Sequence, residues 1–180
     1  MKNNQNKVVA IFSGSNDGNG EYCKLAEGLG KTLAENNFSV VNGGGPGLMD
    51  RVAKGAFENG GNMIGIHFEF EGRKASKYNT KTIIYKKLSP RQKKIISMAD
   101  AFVILPGGLG TVYELCEVLA GKFMGNIKKE TPVILVSKIF WKNFLKLVEF
   151  QVSSGFIKKD FLKQFVIIDE PNEVIKELKR

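Results

Sequence analysis

The sequence is poor in the residues that build metal centres and disulfide frameworks. Its 180 residues include two cysteines, Cys23 and Cys116, and one histidine, His67. Two cysteines are too few for a disulfide framework, their spacing is too wide for a CxxC metal site, and one histidine does not make a zinc cluster. We therefore expect two packed thiols and no metal at the functional site.

Long hydrophobic runs are also missing. No stretch approaches the roughly 18 uninterrupted apolar residues of a membrane helix. The opening stretch MKNNQNK, residues 1–7, is polar where a secretory signal turns apolar. A chain of this length with 43% hydrophobic residues can bury one core. We expect a single domain over residues 1–180, a cytoplasmic location and no membrane partner.

The charge is one-sided, with 27 Lys and Arg against 18 Asp and Glu and a formal net charge of +9. Such a balance attracts nucleic acid, an acidic membrane surface or a phosphorylated metabolite, and charge alone does not choose among them. The lysines lie mostly in pairs along the whole chain, without interleaved aromatic residues. Because this distribution is typical of a solvated surface, we expect no nucleic-acid partner.

Apolar runs of strand length alternate with segments of helical period along the whole chain. This alternation predicts an α/β fold, with a doubly wound, mostly parallel, Rossmann-like sheet flanked by helices. The predicted strands are residues 8–13, 38–42, 62–68, 82–86, 101–105, 132–137 and 165–169. The predicted helices are residues 21–36, 48–59, 90–98 and 141–153, one behind the glycines at 107–110, and a closing helix from Pro171.

Three of the predicted strands end in glycine-rich loops: SGSNDGNG from Ser13, NGGGPGLMD from Asn42 and PGGLGT from Pro106. Ligands bind at the carboxyl ends of the strands in such a sheet, so the three loops predict one site. Glycine lacks a Cβ, which lets backbone N–H groups converge on a phosphate at the positive end of the following helix. The chain lacks both the nicotinamide fingerprint GxGxxG and the triphosphate pattern GxxxxGK[ST], and this disfavours dinucleotide redox chemistry.

Acidic residues follow the third glycine loop. A phosphate fits over PGGLGT with the Thr111 hydroxyl as a further donor, and Glu114 comes about one helical turn later. A phosphate repels a carboxylate, so the partner of Glu114 is the group that carries the phosphate, and a ribose has the right size. Glu117 follows on nearly the same helix face. The residues also allow a plain strand-to-helix turn followed by a solvated glutamate.

These motifs resemble those of the Lonely Guy family, Rossmann-like phosphoribohydrolases that are often mislabelled lysine decarboxylases. PGGLGTVYE, residues 106–114, matches the family pattern PGGxGTxxE. GGGPGLMD, residues 43–50, is similar to its GGGPGxME, and FSGS, residues 12–15, to its first loop. SPRQKK, residues 89–94, places Arg91 where the family has an essential arginine. The resemblance covers nearly the whole chain.

The resemblance implies hydrolysis of the N-glycosidic bond of purine nucleoside 5′-monophosphates, AMP or cytokinin riboside monophosphates or both, without a cofactor. It implies Glu114 and Arg91 as catalytic residues. Glu114 would hold the ribose hydroxyls and stabilise the cationic transition state, and Arg91 would act on the departing base or on the phosphate. The implied substrate-binding residues are Ser13, Gly14, Ser15, Gly43, Gly44, Gly45, Gly47, Met49, Gly107, Gly108, Gly110, Thr111 and Glu117.

The family also implies a homodimer, and the apolar helical segments 115–124 and 141–148 exceed what one small sheet needs to cover itself. We expect Trp141 and Phe144 to serve the core or a subunit contact, and His67 to be a hydrogen-bonded structural residue. The scaffold resembles molybdenum-cofactor carriers as well, and more distantly the single-stranded-DNA-binding proteins of transformation. The alternative is therefore a non-catalytic nucleotide or cofactor carrier, which has no need of a group that stabilises a cation.

Overall fold

The computed structural model describes residues 6–70 and 72–180, and its strands form one parallel sheet. Within this part of the chain seven strands lie in the order β4-β3-β2-β1-β5-β6-β7, and every neighbouring pair is parallel. The doubly wound, Rossmann-like α/β fold is confirmed. The strands are β1 Val8–Phe12, β2 Ser39–Asn42, β3 Met63–Phe68, β4 Lys81–Tyr85, β5 Ala101–Ile104, β6 Val133–Val136 and β7 Val166–Ile168.

The helices lie close to their predicted positions, with one earlier start. They are α1 Cys23–Glu35, α2 Leu48–Glu58, α3 Leu88–Met98, α4 Leu109–Phe123, α5 Lys138–Ser153 and α6 Pro171–Leu178, with a 3-10 turn at Lys159–Gln164. α5 begins before Trp141 because the Ser137 side chain accepts a hydrogen bond from the Phe140 N–H (3.3 Å) and caps the helix. Of the described residues, no helix is long and apolar enough to cross a bilayer.

The core has two layers, one on each face of the sheet. In β1, Val9 and Ile11 pack on the side of α1, α2 and α6, whereas Ala10 and Phe12 pack on the side of α3, α4 and α5. This alternation is the period-two pattern of a strand buried on both faces. Trp141 is 1% exposed and belongs to the second layer, so its predicted role in the core is confirmed.

The strand order brings the three glycine loops together. The chain runs outward from β1 to β4 and then returns to place β5 on the other side of β1. The loops after β1 and β5 therefore flank the switch point of the sheet, where open α/β sheets form a binding crevice. The loop after β2 lies beside them.

Candidate active site

The three glycine loops meet at Gly14. Its N–H donates to the carbonyl of Pro106 (3.0 Å), in the loop after β5, and its carbonyl accepts from the Leu48 N–H (3.1 Å), where α2 begins. The loops after β1, β2 and β5 are thus fixed to one another through backbone hydrogen bonds. The floor of the site is preorganised by the fold itself.

Glycine is required at two of the close approaches. Gly47 has φ +74°, and a Cβ there would collide with the backbone of Asn16 in the loop after β1. A Cβ at Gly43 would collide with the guanidinium of Arg91. Gly47 therefore lets two loops touch, and Gly43 makes room for the Arg91 guanidinium.

A cavity of about 250 Å³, here called the site cavity, opens at this edge of the sheet. The predicted site residues that line it are Ser13, Gly14, Ser15, Gly43, Met49, Arg91, Gly108, Gly110, Thr111 and Glu114. The predicted residues that do not line it are Gly44, Gly45, Gly47, Gly107 and Glu117. The glycines of this second group belong to the loops that shape the cavity, whereas Glu117 lines a different space.

The amino terminus of α4 faces the site cavity. Its N-cap residue is Gly108, which has no side chain that could cap the helix, and Leu109 is 88% exposed. The first backbone donor with a partner in this turn is the Thr111 N–H, which donates to the Gly108 carbonyl (3.0 Å). Open N–H groups and the positive end of the helix dipole suit a phosphate.

Arg91 reaches from α3 into the site cavity and is held there by backbone. Its Nε donates to the Ile66 carbonyl in β3 (2.7 Å), and the residue is 8% exposed. Its Nη1 lies 3.9 Å from Glu114 Oε1. Burial lowers the pKa of Arg91, Glu114 raises it and Arg73 lowers it. Since a guanidinium keeps its proton in proteins, Arg91 is a fixed cation that is poorly solvated.

Glu114 is the other charged group of this pair, and its side chain is 16% exposed. Burial raises the pKa of Glu114 to about 7, Arg91 lowers it and Glu117 raises it. The plain interpretation of Glu114 as a solvated helix residue is therefore wrong. A buried carboxyl of this kind, beside a cation in a cleft, is the arrangement that active sites use to tune acid–base chemistry.

Sequence reasoning missed seven residues that line the site cavity: Ile11, Phe12, Asn16, Arg73, Leu88, Gln92 and Tyr113. Four of them adjoin predicted residues in the chain, and that adjacency was the available signal. Arg73 comes from the polar connection between β3 and β4, which carries no such signal. His67 anchors this connection, since its Nε2 lies 3.3 Å from the Arg73 carbonyl, in keeping with the expected structural role.

A larger groove of about 840 Å³, here called the amino-edge groove, lies at the opposite edge of the sheet. It runs between α3 and α4 and along the amino ends of β1 and β5. Apolar residues such as Ile96, Ala120 and Met124 line it, together with charges of both signs such as Lys93 and Glu117. Arg91, Glu114 and the glycine loops are not part of it.

Comparisons with known sequences point to one family. The family model described as "Possible lysine decarboxylase" matches residues 49–178. The cytokinin riboside 5′-monophosphate phosphoribohydrolase of Rhodococcoides fascians is 31% identical over 156 residues, which cover 84% of this chain and 78% of that protein. A probable enzyme of the same name from Oryza sativa subsp. japonica is 30% identical over 180 residues, which cover 96% of this chain and 76% of the relative.

Solved structures share the fold at lower sequence identity. The molybdenum cofactor binding protein of Rippkaea orientalis superimposes with a TM-score of 0.74 at 22% identity, covering 98% of this chain and 97% of that one. The molybdenum cofactor carrier protein of Chlamydomonas reinhardtii gives a TM-score of 0.71 at 19% identity, covering 98% of this chain and 100% of that one. At this level of identity the likeness establishes the fold alone.

Proposed function

The chain belongs to the Lonely Guy family, whose model carries the description "Possible lysine decarboxylase", and from this premise we propose that it is a nucleoside 5′-monophosphate phosphoribohydrolase. Its substrates are purine nucleoside 5′-monophosphates, AMP or cytokinin riboside monophosphates or both. Hydrolysis of the N-glycosidic bond releases the free base and ribose 5-phosphate. The curated relatives named for this activity support the proposal.

The observation that carries the proposal is the buried Arg91–Glu114 pair beside the open amino terminus of α4. A phosphate at Gly108 and Gly110 leaves the ribose that it carries near Glu114, about one helical turn further on. Cleavage of the bond between C1′ and the base makes the ribose cationic and the base anionic. The site cavity holds the Glu114 carboxyl, which can oppose the positive charge, and the Arg91 guanidinium, which can oppose a negative one.

In the proposed reaction Glu114 acts as a carboxylate. It accepts hydrogen bonds from the ribose hydroxyls and stabilises the cation at C1′, to which water adds. The electron pair of the broken bond leaves with the base, which takes up a proton from that water. Arg91 stabilises negative charge, either on the departing base or on the phosphate. An Arg91 variant assayed on substrates with and without the 5′-phosphate distinguishes the two roles, because a contact with the phosphate matters only for the phosphorylated substrate.

The description of the family as lysine decarboxylases finds no support in the cavity. Among the described residues that line it, the basic side chains are Arg73 and Arg91, and none is a lysine. An amine that could form a Schiff base with pyridoxal phosphate is therefore absent from this lining. The amino terminus of α4 accounts for the phosphate affinity that both interpretations require.

A panel of nucleoside monophosphates tests the proposal against the carrier alternative. The purified protein is incubated with each nucleotide without added metal, and free base is measured by chromatography. We expect free adenine or an N6-substituted adenine from at least one member, and far less base when Glu114→Gln replaces the parent. A panel that yields no free base, with nucleotide binding intact, would establish the carrier instead.

The proposal includes a homodimer in the cytoplasm, with no metal, cofactor, membrane or nucleic-acid partner. Support for the dimer comes from apolar side chains left exposed on α4, on its C-cap residue and on α5: Leu109 at 88%, Phe123 at 72%, Met124 at 72% and Phe150 at 67%. Leu115 and Trp141, which also suggested an apolar surface, are in the core. Light scattering at micromolar concentration should give twice the chain mass of 19.9 kDa, and a monomer would exclude the dimer.

A further inference from the structure

Arg73 brings a second cation into the site cavity, in addition to Arg91. Among the described residues that line the cavity, Glu114 is the single carboxylate, and it lies 3.9 Å from Arg91 Nη1. Arg73 forms no ion pair with any carboxylate that the structure describes. Since a guanidinium keeps its proton, the described residues leave an excess of positive charge in this cavity.

Backbone contacts hold Arg73 in place, although it lies on a connection between strands. Its N–H donates to the Phe70 carbonyl (3.0 Å), and its carbonyl lies 3.3 Å from His67 Nε2, near the end of β3. Further along the connection, the Ser76 N–H donates to the Gly44 carbonyl (2.8 Å) in the loop after β2. Arg73 is therefore held against the loops that form the site.

The strand order places Arg73 at the side of the site away from α4. Helix α4 follows β5 and Arg73 follows β3, and β1 and β2 lie between these two strands. Neighbouring strands are about 4.8 Å apart, so the backbones at the two positions are separated by roughly 14 Å along the edge of the sheet.

Arg91 lies between these two positions. Its Nε donates to the Ile66 carbonyl in β3 (2.7 Å), and its Nη1 is near Glu114 on α4. A nucleotide with its phosphate at the start of α4 and its ribose at Glu114 therefore directs its base toward Arg91 and Arg73.

Two neighbouring guanidinium groups favour an anion close to both. Burial lowers the pKa of Arg91 most, Glu114 raises it, and Arg73 lowers it, as expected for a second cation nearby. A negative charge that reaches both side chains offsets their repulsion. When the bond between C1′ and the base breaks, its electron pair leaves with the purine, and negative charge spreads over the ring nitrogens. The departing base is thus the group that becomes anionic on this side of the cavity.

We propose that Arg73 is a catalytic residue that stabilises the departing base. Its N–H groups donate hydrogen bonds to the ring nitrogens of the purine as these gain negative charge. The guanidinium keeps its own proton, and the base takes up its proton from the water that adds to C1′. This role rests on the proposed phosphoribohydrolase activity, and it leaves the 5′-phosphate to the N–H groups of α4.

Arg73→Gln and Lys74→Gln form a matched pair, because they remove the same charge from neighbouring residues. Lys74 is exposed and does not line the site cavity. With AMP or the best nucleotide of the panel, Arg73→Gln should lower kcat about tenfold to a hundredfold, the usual value of a hydrogen bond to a charged group, with little change in KM. Lys74→Gln should match the parent, and equal kcat values for the two variants would overturn the proposal. Thermal unfolding establishes that both are folded.

The N7-methylated form of the same nucleotide separates stabilisation of the base from a structural effect. Its purine already carries a positive charge, so it leaves without becoming an anion. Arg73→Gln should therefore cleave the methylated nucleotide in single turnovers at a rate within about twofold of the parent. A loss as large as that with the unmethylated nucleotide, or no cleavage of the methylated one by the parent, would overturn the proposal.

Binding of a purine anion is independent of catalysis. Urate, a purine that is anionic at neutral pH, is titrated into the protein in the presence of ribose 5-phosphate. The parent and Lys74→Gln should bind urate about tenfold more tightly than Arg73→Gln, and ribose 5-phosphate alone should bind equally to all three proteins. Equal urate affinities, or no urate binding by the parent, would contradict the proposal, and weaker binding of ribose 5-phosphate to Arg73→Gln would assign Arg73 to the phosphate instead.

The urate result is expected even if no nucleotide of the panel is hydrolysed. Failure of the role of Arg73 is therefore distinguishable from failure of the proposed function.

Discussion

The site cavity has less than a third of the volume of the amino-edge groove, about 250 Å³ against about 840 Å³, yet only the smaller space has the features of an active site. The difference follows from the direction of the chain. In this fold the helices begin at the carboxyl edge of the sheet, so that edge collects open N–H groups and positive helix ends. Polarity and burial, rather than volume, distinguish the site.

Helix α4 carries one charged side chain in the site cavity and another that is buried in a structural contact. Near its start, Glu114 lies in the site cavity, and burial raises the pKa of this carboxyl to about 7. Near its end, Lys122 is 3% exposed and donates to the carbonyls of Thr131 (2.7 Å) and Gln164 (3.1 Å). A cation satisfied by carbonyls is a structural contact, whereas a buried carboxyl beside an open cavity is available for chemistry.

We expect the largest effect from Glu114→Gln, because it removes the charge that distinguishes the site cavity from the amino-edge groove. This exchange keeps the size and the hydrogen-bonding capacity of the side chain but removes the charge that stabilises the cationic transition state, so kcat should fall about 10²- to 10³-fold with nucleotide affinity largely kept. Glu130→Gln, in the amino-edge groove, is the matched control and should leave kcat unchanged. Steady-state kinetics that find Glu114→Gln within a few-fold of the parent would show that the site cavity is not catalytic.

Removal of the 5′-phosphate from the substrate is the next largest test. The N–H groups at the start of α4 have no anion to bind in a nucleoside, so kcat/KM for adenosine should be lower than for AMP by about a hundredfold or more. Lys128→Gln, in the amino-edge groove, should leave the ratio of the two substrates unchanged. Equal turnover of adenosine and AMP would contradict the assignment of the phosphate to α4.

Two glycines with similar backbone angles differ in what surrounds them. Gly47 (φ +74°) touches the Asn16 backbone at the site, whereas Gly60 (φ +73°) has open space around its Cβ position. Gly60→Ala should lower the free energy of unfolding by about 1 kcal/mol through backbone strain alone. Gly47→Ala should cost a further 1 to 3 kcal/mol or so, because two loops must separate. Urea unfolding measures both values, and equal losses would mean that the loops are not tightly joined.

The pH profile gives the smallest expected effect. Because burial raises the pKa of Glu114 to about 7 and the proposed mechanism uses the carboxylate, kcat/KM should rise with pH and level off above about 7. Below that pH it should fall about tenfold per unit. The substrate phosphate has its second pKa near 6, about a unit lower, so its titration can be followed separately by phosphorus NMR. A flat profile between pH 6 and 8 would contradict this role of Glu114.

The free energy of unfolding should respond to ionisation of Glu114 in the opposite direction and fall as the pH rises. The folded-state pKa of Glu114 is raised above the 4.5 of the free side chain, so its contribution is most favourable below about pH 4.5 and is lost as the pH rises through about 7. Above that pH the ionised carboxyl of Glu114 is held in the site cavity at a cost in stability.

The parts of the fold that depend on local pattern could be predicted from the sequence. Apolar runs of strand length identified the strands, and segments of helical period identified the helices between them. The early start of α5 was missed because it depends on a single hydrogen bond from the Phe140 N–H to Ser137. The 3-10 turn at Lys159–Gln164 was missed because so short a segment has no periodicity.

Membership of the site cavity was predictable only in part. The motif residues Gly108, Gly110 and Thr111 line it, but Gly107 in the same motif does not. A sequence motif records which residues a loop requires, and some of them are required for packing of the loop rather than for contact with a ligand. Arg73 could not be predicted from the sequence, because it enters the cavity from a connection between β3 and β4. The path of this connection depends on contacts such as that of His67 with the Arg73 carbonyl.

The α/β class, the three glycine loops at one edge of the sheet and the family to which the chain belongs could all be predicted from the order and spacing of residues. The pairing and burial of the charged side chains depend instead on how the helices pack. Arg91 and Glu114 come from different helices, and their 3.9 Å separation and burial arise when α3 and α4 pack on the sheet. That burial, which no local pattern records, raises the pKa of Glu114 to about 7.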